Sequence, residues 1–493
     1  MRLKTEARIL DIYNKVWSFL SSQGIKAYLV GGFIRDNLLG IKSADIDFAI
    51  RADTLKITPL LAQELGGKYV LLDEQNRITR VVLKGEAKSA QLYLDFSSFE
   101  GDIREDLARR DFTIDAMAVE LEELKEGGEI EIVDPFGGLK DLKERVIRAT
   151  GEGVFKEDKS RLLRAARLAA ELKFKIEPRT EELIKENAHL ISEVPGERVR
   201  EELLRLFNLP EAGDFTFYLD ELGILTSLIP ELKEGKGVEQ PKEHYWDVFE
   251  HSVRTVLAAS FLLRERAWEY DSGDILTYVP WSEELARHFE EEVTNISNRK
   301  SLLKLAALLH DIAKPETKTI EENGRIRFLG HANVGAERAA DILKRLRFSS
   351  KEIELVRLMV AHHLRPGQLS QEGMPSNRAI YRYFRDVAEA SIDTLFLSLA
   401  DHLASRGPNL LASHWQRHAQ VVEYVLAQYF KEKSVSSPPK LISGDDLINI
   451  FGLSPGPRIG KILEAVREAQ AAGEITTREE ALAYAKNLLS EES

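Results

Sequence analysis

The chain has 493 residues, 43% of them hydrophobic and 30% charged, which excludes a disordered chain and predicts about three to four folded domains. It contains no cysteine, so disulfides, thiolate zinc sites and cysteine nucleophiles are excluded and any metal must be held by His, Asp or Glu. Its net charge of -13 argues against a surface that binds nucleic acid throughout. Residues 139–175, however, hold 11 Lys/Arg against 6 Asp/Glu, and a polyanion senses potential only within about 10 Å.

The N-terminus, MRLKTEARILDIYNKVWSFL, is charged throughout and does not read as a signal peptide. No run approaches the roughly 18 apolar residues of a membrane span, so a cytoplasmic protein with no membrane partner is expected. Through residue 150 the pattern is α/β, with β-rich runs at Ala27–Val30, Ile46–Ile50, Tyr69–Leu72, Thr79–Leu83 and Leu92–Phe96. From about Phe155 the periodicity turns helical and stays so. Residues 262–299 read as an insertion rich in charge and aromatics. Glu432–Lys440 (EKSVSSPPK) reads as a linker, and in the tail PGPRIGKILEAVREAQ a turn feeds an amphipathic helix. The predicted domains are a head (1–150), a helical neck and body (151–232), a histidine-bearing helical domain (233–430) and a tail (441–493).

In the head, YLVGGFIRDNLLGIKSADIDFAI runs a strand into Gly31-Gly32, where a helix is expected to start. Glycines at such a turn let backbone N–H groups approach a phosphate, and Arg35, one turn on, can donate to a triphosphate. Asp45 and Asp47 flank Ile46, and residues i and i+2 of a strand share a face. Two adjacent carboxylates repel unless a cation is shared, and hard oxygen ligands suit Mg²⁺. The alternative is a polar strand end. Asp95, at the end of LYLD, can complete a three-carboxylate site that activates a 3′-hydroxyl and stabilises departing pyrophosphate.

These residues lead to a family. Gly31-Gly32-Phe-Ile-Arg35-Asp36 with Asp45-x-Asp47 resembles the metal motif of class II tRNA nucleotidyltransferases and bacterial poly(A) polymerases. Arg109-Arg110-Asp111-Phe112-Thr113 resembles the RRDFT motif, whose second arginine contacts nucleotide. Asp134-Pro-Phe-Gly-Gly138 resembles the DPFGG connection, Glu157-Asp158-Lys-Ser-Arg161-Leu-Leu-Arg164-Ala-Ala-Arg167 the base-selecting helix, and Glu197-Arg198-Val-Arg-Glu201 the ERxxxE helix that follows. The resemblance implies an α/β nucleotidyltransferase head with a mixed five-stranded sheet, then an all-α neck, body and HD domain. It implies addition of CMP (CC, or CCA) to tRNA 3′ ends from CTP and ATP. Gly31, Gly32, Arg35 and Arg110 would hold the triphosphate, and Arg164 and Arg167 would reach phosphate or brace the body.

Asp158 and Arg161, at i and i+3, are expected side by side on a helix. One accepts and one donates, matching the amine and ring nitrogen of cytosine or adenine. Uracil and guanine present the reverse pair, at a cost on the order of 1–3 kcal/mol for each mispaired group. Two features depart from the family. Asp115 stands where the motif normally has Asn, and only SSFEGDIREDLA separates Phe96 from Arg109, where CCA-finishing members carry a longer loop. That shortness leans toward addition of CC alone, with a separate A-adding enzyme acting on the same substrate.

Further on, His251, His310-Asp311 and Asp401 resemble the H…HD…D metal site of HD domains, with His331, His362 and His363 as candidates for a second ion or for phosphate. A divalent metal there, of a kind the ligand types do not decide, would lower the pKa of water for phosphoester hydrolysis. The alternatives are a poly(A) polymerase, or an HD phosphohydrolase carrying the head as an RNA-binding module.

Overall fold

All five β-rich runs become strands: β1 (Ala27–Val30), β2 (Asp45–Ile50), β3 (Lys68–Asp73), β4 (Ile78–Lys84) and β5 (Gln91–Ser98). A sixth, β6 (Ala118–Glu120), adds to β1, so the sheet has six strands rather than five, in the order β3-β4-β5-β2-β1-β6. Three residues are too few for alternation to reveal. Pairing of Val30 with Ala118 and Tyr28 with Glu120 is what makes them a strand. The sheet is mixed, because β2 and β5 run parallel while every other neighbour is antiparallel.

The computed structural model describes residues 7–84, 91–126, 130–271, 273–369, 373–431 and 440–491. They belong to two compact units, Met1–Glu193 and Val194–Ser493.

In the first unit, alternation along β2 sends Ile46, Phe48 and Ile50 into one core with Leu94 and Phe96, where the Phe48 and Phe96 rings stack at 4.9 Å. Helix α1 (Ala7–Ser22) supplies Tyr13, Val16 and Leu20 to that core. Each such side chain contributes about 1.5–3 kcal/mol on full burial. The other face of β2 carries Asp45, Asp47 and Ala49. It is closed in part by a smaller cluster that includes Tyr28, Val30, Ala49, Phe99 and Leu107. Around the sheet run α2 (Gly32–Leu39), α3 (Thr54–Glu64) and α4 (Ile103–Leu107), followed by α5 (Gly138–Glu144), α6 (Val154–Glu157) and α7 (Arg161–Leu172).

The DPFGG connection has a packing reason. Asp134 accepts hydrogen bonds from the backbone N–H groups of Gly138 and Leu139 at 2.7 and 2.9 Å. A Cβ at Gly138 would lie 2.2 Å from the Thr113 carbonyl oxygen, so only glycine lets this turn meet the RRDFT segment.

In the second unit, helices Val248–Leu262, Arg299–Leu309, Ser350–His362 and Ser391–Arg406 pack on one another with Val256, Leu303, Val356 and Leu399 fully buried. The helical expectation needs correcting at a hairpin, Lys318–Ile320 with Ile326–Phe328, and at the short pair Glu292–Thr294 with Ser297–Asn298. The linker expected at Glu432–Lys440 lies, through residue 439, outside the described residues. The tail forms helices Gly444–Phe451, Pro457–Ala471 and Arg478–Glu491 around a core that includes Leu447, Ile462 and Val466. Pro457 opens the middle helix, where its missing N–H costs nothing. Among the described residues no helix is long and apolar enough to cross a membrane.

Candidate active site and metal centre

The parallel register of β2 and β5 sets Asp47 directly opposite Asp95, with Asp45 two residues away on the same face. Asp45 is exposed and Asp47 half-buried. Withdrawal from water pushes the Asp47 carboxyl up to about 6. Arg110 pulls against this shift, while Asp95, Asp115 and Asp45 reinforce it. Asp95 is held by Arg80, which donates to both its oxygens at 2.6 and 2.7 Å. An ionised carboxylate has about four lone-pair sites, so this leaves acceptor capacity on Asp95.

Gly31 closes the turn before α2 with φ 74, and a Cβ there would lie 2.8 Å from Arg110 Nη1 and 3.1 Å from Asp47 Oδ2. The glycine is therefore required twice, by its left-handed backbone and by the close approach of the acid and the arginine. Gly32 starts α2 as expected. Arg35 turns inward: it is 7% exposed and paired with Asp115 through Nη1 at 2.7 Å and with Asp36 through Nη2 at 2.7 Å. Arg167 is likewise buried and paired with Glu171 on its own helix.

The expected helical pair of Asp158 and Arg161 needs correcting. Asp158 is extended (φ -139, ψ 106) between α6 and α7, and its side chain accepts from Ser160 N and Oγ at 3.0 and 2.8 Å. An Asp followed by Ser two residues on favours this local turn over a helical interior. Arg161 opens α7 and donates to the carbonyls of Arg109 at 2.6 Å and Val154 at 3.2 Å. Arg164 donates through Nε to Asp111 Oδ2 at 2.6 Å. Burial alone would raise Asp111, but Arg164 and Arg161 outweigh it and hold the carboxyl below its ordinary range. The segment between β5 and Arg109 contains the short helix α4, capped by Asp102 on Arg104 N at 2.9 Å.

The second unit gathers the histidines. His251 Nε2 lies 3.1 Å from His310 Nε2, 3.2 Å from Asp311 Oδ2 and 3.2 Å from Asp401 Oδ1. Donors about 2.1 Å from one ion would stand roughly this far apart. Three imidazoles are aimed by the backbone: Nδ1 of His310, His331 and His363 donates to the carbonyls of Ala307, Phe328 and Val360 at 2.8, 2.6 and 2.7 Å. A carbonyl only accepts, so each ring must carry its proton on Nδ1, leaving Nε2 with a lone pair. The Nε2 atoms of His331 and His363 are buried without a hydrogen-bond partner, 3.4 and 3.8 Å from Asp311 Oδ1. Burial, aided by His310, pushes His363 down to about 3, which keeps it neutral. Two overlapping groups, His251 with His310 and Asp401, and His310 with Asp311 and His363, bring their donor atoms close enough together to hold a divalent ion.

His362 does not join this set. Consecutive helical residues point about 100° apart, so with His363 inward its neighbour faces Arg357, Arg365 and Asp386. The sequence reading also missed Lys314, 2.6 Å from Asp311 Oδ2, and Gln240 and His244, which contact Lys314 at 2.7 and 3.5 Å. The spacing of Asp311 and Lys314, one helical turn, was a visible signal for the lysine. Nothing in the sequence marked the other two. The cluster opens into a cavity of about 670 Å³ whose lining also includes His402, His414 and Arg417.

Three family models match the chain in order: a Poly A polymerase head domain over residues 27–148, a probable RNA and SrmB-binding site of polymerase A over 173–236, and an HD domain over 248–406. An A-adding tRNA nucleotidyltransferase of Deinococcus radiodurans is 35% identical over 94% of this chain and 96% of its own length. A CC-adding tRNA nucleotidyltransferase of Thermus thermophilus is 33% identical, over 93% and 92%. The chain belongs to the class II tRNA nucleotidyltransferase family. As a nucleotidyltransferase of the tRNA-adding type, it has the expected head, RNA-binding and HD regions. Its fold matches a CCA-adding enzyme in its apo form, with a TM-score of 0.63 at 22% identity over 99% of this chain and 95% of that one. It also matches the Thermotoga maritima CCA-adding enzyme complexed with tRNA, with a TM-score of 0.60 at 23% identity over 99% and 97%. At those identities the two structures bear on the fold alone.

Proposed function

We propose that this tRNA nucleotidyltransferase adds CMP to the tRNA 3′ end, with Asp45, Asp47 and Asp95 holding Mg²⁺. The observation that carries the reading is the register of β2 and β5, which sets Asp47 and Asp95 side by side next to the glycine turn and Arg110. A divalent ion there supplies positive charge to the triphosphate and to the attacking hydroxyl. Arg110 adds a fixed cation beside the turn, and the N–H groups following Gly31 offer donors to phosphate. Arg35 and Arg167 are buried and paired with acids of the head and of α7, so they brace these elements rather than meet the triphosphate. Asp158 and Arg161, at the α6–α7 turn, offer an acceptor and a donor to the Watson–Crick edge of cytosine or adenine.

Restriction to CC is favoured by the shortness of the link between β5 and Arg109, ten residues that include a short capped helix rather than a long loop. Relatives named as CC-adding from Thermus, Geobacter and Synechocystis point the same way. In that case a separate enzyme supplies the terminal A. The second reading is A addition, favoured by the Deinococcus relative. Purified protein is offered tRNA ending before CCA, or ending in CC, with CTP and ATP singly and together, and the 3′ ends are sequenced. CC ends from CTP alone, with no A added from ATP, are expected. Growth of a CC end by one A supports the second reading, and long A tails on unrelated RNA indicate a poly(A) polymerase. For the HD centre we propose divalent metal binding at His251, His310, Asp311 and Asp401 and phosphoester hydrolysis. Metal-dependent release of phosphate from a nucleoside 3′-phosphate that disappears in Asp311→Ala tests this.

A further inference from the structure

Asp115 is a buried acid with work for both its oxygens. It is 3% exposed and lies on the 3₁₀ turn Thr113–Asp115 that follows the paired arginines. Arg35, on the helix that leaves the glycine turn, donates through Nη1 to Asp115 Oδ1 at 2.7 Å. On the other side Arg164 Nη2, from α7, stands 3.7 Å from Asp115 Oδ2, an ion pair too long to be a hydrogen bond. That Oδ2 atom is buried without a hydrogen-bond partner. Arg164 meanwhile holds Asp111 Oδ2 at 2.6 Å through Nε and is 37% exposed along its side chain. One guanidinium thus lies between two carboxylates, bonded to one and within about an ångström of bonding to the other.

We propose that Asp115 is a positioning residue that couples the phosphate turn to the base-reading helix by holding Arg35 and Arg164 at once. The inference rests on the reading of the head as a nucleotide site. Its physical basis is the symmetry of a carboxylate. Both oxygens accept, so two cations can be served from opposite sides. An asparagine offers one acceptor and one amine, and the amine would face a guanidinium donor to donor. The negative charge is needed as well, since Arg35 and Arg164 repel each other. Small movements of α2 on phosphate binding therefore pass through Asp115 to Arg164, which can close on Oδ2 while keeping Asp111. The aspartate at this position, where the related motif carries asparagine, is what makes a relay of two arginines feasible here.

The test uses the full chain with CTP and Mg²⁺, comparing Asp115→Asn, Arg164→Lys and the double variant. Lysine keeps the charge of Arg164 but cannot reach two acids at once with a fixed fork. Equilibrium CTP affinity is measured by calorimetry, and KM and kcat from CMP addition to tRNA. The expected result is about ten-fold weaker CTP binding and higher KM in each single variant, kcat within about three-fold, and no further loss in the double variant. Additive losses, or loss of kcat alone, mark a merely structural residue and overturn the proposal, as does wild-type CTP affinity in Asp115→Asn. Should Asp115→Asn fail to fold, Arg164→Lys with wild-type CTP affinity overturns it alone. A wild-type chain that binds CTP but never extends tRNA sinks the transfer reading while the binding comparison still decides the relay. Absence of CTP binding to the wild type sinks both.

Discussion

Asp47 is short of water, and the proton on its carboxyl is held up to about 6 by that withdrawal more than by its acidic neighbours. The sign of the linkage follows. A carboxyl raised above its unfolded value contributes stability that is present below the ordinary range near 3.8 and lost as pH rises through about 6. At neutral pH the ionised acid therefore costs the fold on the order of 1–3 kcal/mol unless a cation shares it. Asp47→Asn is expected to raise the melting temperature of the metal-free protein by about 2–4 °C at pH 7.5, a gain that shrinks toward pH 5, while abolishing transfer. Calorimetry at the two pH values checks the first part and a tRNA extension assay the second. The wild-type rate should fall as pH drops through 6, because the ion and the proton compete for the same oxygens. Gly31→Ala adds a methyl 2.8 Å from Arg110 Nη1 at a left-handed backbone, and is expected to cost about 1–2 kcal/mol and at least ten-fold in rate. Full activity in that variant would mean that the turn does not shape the site.

Helices here are aimed by their caps, and the cap of the helix leading to His363 is held by residues far from it in sequence. Helix Ser350–His362 delivers His363 immediately after its last turn. Its start is a capping box in which Glu352 accepts from Ser349 N at 2.7 Å, while also receiving Ser297 Oγ at 2.7 Å and Thr294 Oγ1 at 3.0 Å. Glu352 is fully buried; burial would raise its carboxyl, but these hydrogen bonds win and lower it. Its contribution is thus present above the ordinary carboxylate range and lost as pH falls below it. Glu352→Ala strands two hydroxyls and a helix terminus, and is expected to destabilise the second unit by about 2–4 kcal/mol. A denaturant midpoint unchanged within error would refute that. The sequence marked the region as helical and singled out both histidines, but a capping box served by residues some 55 positions earlier has no local signature.

At the scale of the molecule, the nucleotide site and the histidine centre lie in different compact units, so their functions should separate. Asp311→Ala is expected to leave CMP addition within about two-fold of wild type while removing divalent binding to the second unit. Asp45→Ala should do the reverse, and equilibrium dialysis with the transfer assay reads both. Metal at a hundred-fold over its dissociation constant stabilises its unit by about 2.7 kcal/mol, so a chelator should lower the transition of the histidine unit in wild type but not in Asp311→Ala.

By itself the sequence determined the order of parts, the strand that bears Asp45 and Asp47, the glycine turn and the H…HD…D histidine set. The strand and the turn depend on spacing along one element, where a period of 2 or 3.6 fixes which side chains share a face, whereas the order of parts and the histidine set rest on the resemblance of separate motifs to a family. Only tertiary structure decided that Asp95 stands beside Asp47, that Arg35 turns inward to Asp115, that Asp158 leaves the helix, and that His363 rather than His362 joins the buried histidine cluster. Those outcomes turn on register between strands, on a competing local hydrogen bond and on the rotation of a helix about its own axis, and all but the Asp158 turn are settled by partners far away in the chain.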